Sequence, residues 1–89
     1  MMRLDKFLKV SRLIKRRTMA KEVADQGRVS INGQKAKASS TVQEGDELKV
    51  EFGQKIVTLT VDRLKEAVKK EEAQTMYTIV SEERKQGET

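Results

Sequence analysis

The sequence predicts an α+β fold in which two packed N-terminal helices lie on a small, mostly antiparallel sheet, with a short C-terminal extension. Apolar residues recur at i, i+3 and i+4 in two segments before residue 27, which is the helical period. From Arg28 the period changes to two, as in strands, and Asn32-Gly33 is a strong signal for a hairpin turn. We assign residues 1–65 to the helices and two hairpins, and residues 66–89 to a charged, partly flexible extension.

The first helix is predicted over residues 3–10, because Leu4, Phe7 and Leu8 fall on one helical face. Asp5 lies in its first turn, where the helix dipole favours an anion. Because Asp5 stands among basic residues, we expect it to orient a neighbouring arginine through a charge-assisted hydrogen bond.

The second helix carries small apolar residues, Ala20, Val23 and Ala24, which suit close packing against the first helix. Gly27 is predicted to terminate it as the first residue beyond the C-cap. Arg17 and Lys21 are four positions apart and are expected to project from the same face of this helix.

Two hairpins are predicted after the helices. Val29 and Ile31 precede the Asn32-Gly33 turn, which favours type I′, and the return strand over residues 34–38 is weakly apolar and therefore short or at a sheet edge. Residues 39–41 are predicted as a loop, Val42 as a core residue and residues 44–46 as a turn. The second hairpin turns at Gly53-Gln54, and its alternating apolar residues are Leu48, Val50, Phe52, Val57, Leu59 and Val61.

The last third of the chain has weaker patterns. Residues 69–72 form a mixed-charge run that suits a solvated short helix or a linker. The apolar residues Met76, Tyr77, Ile79 and Val80 fit either a strand or a helix, and the pattern does not decide between them. Residues 82–89 are predicted to be a frayed end.

Composition excludes several classes of function. The chain has no cysteine and no histidine, so it lacks thiolate and imidazole metal ligands and the usual general base near neutral pH. No catalytic constellation, phosphate-binding glycine loop, metal site or cofactor site is predicted, and we expect a protein that is not an enzyme. Neither a signal peptide nor an apolar run of membrane-spanning length is visible, which favours a cytoplasmic, membrane-independent protein, expected to be a monomer.

Positive charge is concentrated at the N-terminus. Residues 1–21 contain eight Lys or Arg and one Asp, a net charge of +7, whereas the whole chain carries +5. This placement predicts a polyanion partner, and arginine suits phosphate because its planar fork binds two oxygens. The lack of exposed aromatic side chains in this stretch, where Phe7 is assigned to the packed helix face, favours a folded RNA recognised through backbone and shape over base stacking. The predicted RNA-binding residues are Arg3, Asp5, Lys6, Lys9, Arg12, Lys15, Arg16, Arg17 and Lys21.

Other interpretations of the same residues remain open. The charges could simply solvate two helix faces. Two short helices followed by a hairpin could also form a winged helix-turn-helix that regulates DNA. A subunit or fragment of an RNA-modifying enzyme is a third interpretation, and it requires a catalytic partner chain.

The chain resembles the RNA-binding domain named after ribosomal small-subunit protein four, also called the alpha-L motif. The resemblance covers residues 3–52, and it is carried by Arg3-Leu4-Asp5, Arg17-Thr18-Met19-Ala20, Gly27, Val29-Ser30-Ile31-Asn32-Gly33 and Glu44-Gly45-Asp46. Arg16 stands where the family usually has Ser or Thr, so an N-cap hydroxyl is lost. Thr18 could cap the second helix one turn later, and the exact start of that helix does not follow from the sequence. The resemblance implies that Arg17 contacts RNA.

Within this family the chain is similar to the small stand-alone bacterial group of heat shock protein fifteen and ribosome-associated quality control protein P. That similarity implies binding to large ribosomal subunits obstructed by peptidyl-tRNA. The implied partners are ribosomal RNA, tRNA and ribosome-associated quality control factors, and the implied role is to support C-terminal tailing of stalled nascent chains. Which RNA helix and which part of the tRNA are contacted does not follow from the sequence.

Overall fold

The computed structural model describes residues 1–65 and 68–84. Its helices are α1 (Leu4–Val10), α2 (Arg17–Asp25) and α3 (Lys70–Ala73), with a 3₁₀ turn at Gln74–Met76. Its strands are β1 (Met2–Arg3), β2 (Val29–Ile31), β3 (Gln34–Lys35), β4 (Thr41–Val42), β5 (Glu47–Phe52), β6 (Lys55–Val61) and β7 (Tyr77–Arg84). The main sheet has the order β3-β2-β5-β6-β7, and β1 pairs separately with β4. Every pairing is antiparallel, which confirms the predicted α+β class.

Helix α1 buries the predicted face. Leu4, Phe7 and Leu8 are fully buried in the core. The helix begins one residue later than predicted, because Arg3 is extended (φ −62°, ψ 144°) and pairs with Thr41 across β1 and β4. Arg3, predicted as the start of the helix, and Thr41, predicted as part of a loop, therefore belong to two short paired strands.

Helix α2 begins at Arg17, because Arg16 is extended (φ −120°, ψ 137°) and serves as the N-cap without a side-chain hydrogen bond. Gly27 follows the C-cap with φ +79°, and its N–H donates to the Ala24 carbonyl at 3.0 Å. The Arg28 N–H donates to the Val23 carbonyl at 3.2 Å, which completes a Schellman motif. The predicted role of Gly27 is confirmed.

The two predicted hairpins are present. Asn32 (φ +52°) and Gly33 (φ +86°) are both left-handed, as a type I′ turn requires. The return strand β3 is an edge strand and is shorter than residues 34–38, since it ends at Lys35. In the second hairpin, β5 and β6 pair in full register, and Leu48 lies opposite Leu59. Both leucines are fully buried and belong to the hydrophobic core.

The C-terminal part of the chain differs most from the predictions. Residues 82–84 belong to β7 rather than to a frayed end, and β7 extends the sheet beyond β6 with a register shift between Thr58 and Leu59. Met76 is fully buried, whereas Ile79 and Val80 are 45% and 57% exposed on this edge strand. The predicted frayed residues 85–89 lie outside the described part of the chain.

Candidate nucleic-acid interface

The basic residues predicted to bind RNA lie on α1, on α2 and on the connection between them. Arg3 precedes α1, Lys6 and Lys9 lie within it, Arg12 and Lys15 lie in the connection, and Arg16, Arg17 and Lys21 belong to the start and middle of α2. All are exposed except Lys6, which is half-buried. Core residues on the opposite faces of both helices therefore leave these cations on the surface.

Asp5 is the centre of the first group of cations. Its carboxylate accepts hydrogen bonds from Arg3 Nε at 3.3 Å and from Arg3 Nη2 at 3.2 Å. Arg17 Nη2 donates to Asp5 Oδ1 at 3.5 Å, and the Lys6 backbone N–H donates to the same oxygen at 2.7 Å. The prediction that Asp5 orients a neighbouring arginine is confirmed, and two arginines are held instead of one.

The position of Arg17 explains why this carboxylate is needed. Arg17 is the first residue of α2, and a cation is disfavoured at a helix N-terminus by the helix dipole. The first turn of α2 contains no acidic residue, so the compensating anion comes from Asp5 on α1. The side chains of Arg3 and Arg17 remain half exposed, whereas that of Asp5 is 4% exposed. Each arginine is thus held by the buried Asp5 carboxylate, while about half of its side chain remains accessible to a ligand.

The ionised state of Asp5 follows from these contacts. Burial alone would raise the pKa of the Asp5 carboxyl, because it withdraws the charged form from water. The hydrogen bonds from Arg17 and Arg3, the positive charge of Arg17 and the Lys6 N–H together outweigh burial. The pKa of Asp5 therefore lies below its ordinary value of 3.8, and the carboxylate is charged at neutral pH.

A second group of cations surrounds a concave site of about 380 Å³. Lys9 comes from α1, Arg12 and Lys15 from the connection, and Lys70 from the start of α3. Sequence reasoning missed Lys70, since it stands in a mixed-charge run remote from the other three and carries no local signal. Only the packing of α3 brings it to this site.

Arg12 occupies an unusual backbone position within this site. Its φ is +64°, and its N–H donates to the Lys9 carbonyl at 3.1 Å, just beyond the C-cap residue Ser11. Glycine is the usual residue at such a left-handed position. The left-handed conformation costs a residue with a side chain about 1–2 kcal/mol.

Two of the predicted residues lie outside these two groups. Arg16 borders a mainly apolar concavity with Met19 and Phe52, which Lys15 of the second group also lines. Lys21 borders a different surface depression, next to Glu22, Asp25 and Gln26. The predicted set is thus divided among several surfaces. Within residues 1–65 and 68–84, no group of acidic side chains could hold a metal ion, and no helix is long and apolar enough to cross a membrane.

The sequence matches the S4 domain family over residues 2–48, the segment that contains α1, α2 and the first hairpin. A protein of Bacillus subtilis (strain 168), called RQC P-site tRNA stabilizing factor, is 74% identical over 83 residues, which are 93% of this chain and 96% of the relative. A Streptococcus pneumoniae protein with the same name is 53% identical over 83 residues, covering 93% of this chain and 94% of the relative.

Two solved structures are also similar to this chain in fold. The trimeric structure of Vibrio cholerae Heat Shock Protein 15 matches with a TM-score of 0.82 and 31% identity, covering 89% of this chain and 81% of that one. The solution structure of the hypothetical protein HP1423 matches with a TM-score of 0.77 and 30% identity, covering 90% and 98%. The Arg3–Asp5–Arg17 cluster lies inside the matched domain. The chain therefore belongs to the S4 domain family and, within it, to the family of RQC P-site tRNA stabilizing factors.

Proposed function

We propose that this protein is an RNA-binding factor of ribosome-associated quality control. It binds ribosomal RNA and tRNA on large subunits obstructed by peptidyl-tRNA, stabilises the P-site tRNA and supports C-terminal tailing of the stalled nascent chain. The observation that carries the proposal is the Arg3–Asp5–Arg17 cluster, which lies in the +7 segment and within the S4 domain. The name shared by its relatives supports the same role.

The cluster suits the recognition of an RNA backbone. Each guanidinium uses part of its fork on Asp5 and keeps the rest of its donors on the exposed side. Because Asp5 fixes both arginines, less side-chain entropy is lost when phosphate oxygens are bound. Two guanidinium groups held by one carboxylate, at the starts of adjacent helices, favour a stem recognised by shape, as is usual for double-stranded RNA.

The proposal has further parts that concern the state of the protein. The protein acts by binding rather than by catalysis, works as a monomer in the cytoplasm, and meets the other quality control factors on the ribosome. The S4 match and the relatives lend no support to the winged helix-turn-helix alternative.

Reversal of charge at Arg17 tests the proposed function. Arg17→Glu would place a second carboxylate beside Asp5 and expel RNA phosphates from the cluster. We expect this variant to lose co-sedimentation with obstructed large subunits while its circular dichroism spectrum stays that of the folded protein. Lys49→Glu changes the charge equally on the outward face of β5 and serves as the matched control. If Arg17→Glu co-sediments with large subunits as the wild type does, the proposal is disproved.

A further inference from the structure

We propose that the concave site formed by Lys9, Arg12, Lys15 and Lys70 is a second phosphate-binding site of the RNA interface. It would hold a phosphate group of the RNA backbone while the Arg3–Asp5–Arg17 cluster holds another part of the RNA. The inference rests on the proposed function and deepens it, because it extends the interface to the C-terminal segment of the chain.

The charge of the site carries the inference. The four described residues that line it are all cations and come from three separate elements. Within residues 1–65 and 68–84, none of the four has a carboxylate oxygen within 4 Å of its charged nitrogens. Four like charges around one cavity repel each other, so an anion placed between them is attracted by all four.

The backbone of Arg12 is a second, independent observation. Arg12 holds a left-handed conformation that glycine would adopt more readily. Its N–H donates to the Lys9 carbonyl at 3.1 Å, and the Ile14 N–H donates to the Leu8 carbonyl at 3.0 Å, so hydrogen bonds at the end of α1 hold this conformation. The Arg12 side chain is exposed, and Arg12 lines the cavity. A cation therefore stands at a helix end where glycine, which has no side chain, is the usual residue.

The position of Lys70 is defined by core packing. Three residues along α3, Ala73 is 1% exposed, and Met76 is fully buried in the core. The Met76 carbonyl accepts hydrogen bonds from the N–H groups of Asp62 at 2.8 Å and Arg63 at 3.2 Å. The segment that carries Lys70 is therefore anchored against the domain. Lys70 lies beyond residues 2–48, so the site combines the S4 domain with a segment outside the family match.

The chemistry of the four side chains favours phosphate. Arginine offers a planar fork that binds two phosphate oxygens, and lysine acts as a compact point charge. A cavity of about 380 Å³ has the size of a small-molecule site, so a phosphate can enter with part of its ribose. RNA phosphate and free inorganic phosphate share this chemistry, and the experiment has to separate them.

The test compares Lys70→Gln, Arg12→Gly and the double variant with Lys49→Gln, which removes one charge from the outward face of β5. Arg12→Gly removes a cation and relieves the left-handed conformation, so it preserves the fold. Binding to purified large subunits carrying peptidyl-tRNA is measured across a salt series. We expect the double variant to lower the slope of log affinity against log salt by about 0.7–0.9, the value for one phosphate. Lys49→Gln should match the wild type.

A second measurement uses the free protein and inorganic phosphate at constant ionic strength, followed by the amide NMR signals of Arg12 and Lys70. We expect weak saturable shifts in the wild type and none in Lys70→Gln. If Lys70→Gln and Arg12→Gly bind subunits like Lys49→Gln while phosphate still saturates the site, the site serves a free anion and the RNA assignment is overturned. If phosphate does not saturate the wild-type protein and the variants do not change the salt slope, the proposed phosphate site is disproved. The proposed function fails separately, if the wild-type protein does not bind obstructed subunits.

Discussion

Two groups of cations in this protein are built in opposite ways. Arg3 and Arg17 share a buried carboxylate, whereas the four cations around the concave site have no counter-ion among the described residues. A paired arginine is held in one orientation, and an unpaired cation exerts more attraction on an anion. The first group is suited to orienting RNA and the second to retaining it.

Both groups also place arginine where the backbone prefers another residue. Arg17 occupies a helix N-terminus, which favours anions, and Arg12 occupies a left-handed position, which favours glycine. Asp5 offsets the first conflict, whereas backbone hydrogen bonds at the end of α1 hold Arg12 in the second. The comparison therefore predicts opposite effects on stability when the two groups are altered.

Loss of the shared carboxylate should have the largest effect. Asp5→Ala removes the acceptor of the Lys6 N–H and of both arginines, and we expect unfolding to become easier by about 1–3 kcal/mol. Subunit binding should weaken by roughly tenfold or more, since about 1.4 kcal/mol of lost positioning is tenfold in affinity. Urea denaturation and co-sedimentation measure the two effects.

Asp46→Ala is the matched control for that substitution. Asp46 accepts the Gln43 N–H at 2.8 Å and the Asn32 side-chain amide at 3.2 Å, far along the chain from the cations. It should lower stability while leaving subunit binding unchanged. Equal binding by the Asp5 and Asp46 variants would contradict the orienting role of Asp5.

The pH dependence of the unfolding free energy tests whether the arginine contacts of Asp5 stabilise the fold. Because the folded-state pKa of Asp5 lies below 3.8, its contribution to stability is complete above that pH and is lost as the pH falls towards the folded-state pKa. The difference in unfolding free energy between wild type and Asp5→Ala should be constant near neutrality and shrink below about pH 4. Denaturation curves from pH 7 to pH 2.5 measure it, and a constant difference throughout would argue against the arginine contacts as the cause.

Replacement of Arg12 should act in the other direction. Arg12→Gly relieves the left-handed conformation, and after the extra chain entropy of glycine we expect a gain of about 0.5–1 kcal/mol. For a domain of this size, that corresponds to several degrees in Tm. Arg12→Ala removes the same charge without relieving the backbone and should show no such gain. A similar Tm for the Gly and Ala variants would mean that the conformation is not strained.

A salt bridge outside both groups should matter least. Lys55 pairs with Glu82 between β6 and β7, and both side chains are about half exposed. Lys55→Gln should change the unfolding free energy by no more than about 0.2–1 kcal/mol and should not affect RNA binding. A large loss of binding in this variant would show that positive charge acts through its total amount and not through its placement.

Local patterns account for the parts of the fold that the sequence predicts well. The helical faces of α1 and α2, the Gly27 terminus and the type I′ turn each depend on residues close together in the chain. The pairing of β1 with β4 could not be predicted, since strands of two residues are too short to show a period. Strand β7 could not be predicted as a strand for a related reason. Nearly all of its residues are exposed at the sheet edge, so its sequence shows no alternation of apolar and polar residues.

The candidate site, like the fold, has some features that local sequence predicts and others that depend on tertiary contacts. The charge of residues 1–21, the S4-like spacing and the partnership of Asp5 with an arginine follow from the sequence alone, because they lie within one short segment. That Arg3 and Arg17 share one carboxylate, and that Lys70 completes a cationic cavity with Arg12, was decided by tertiary structure. Packing of α1 against α2, and of Met76 into the core, brings together charges that no local interaction could place.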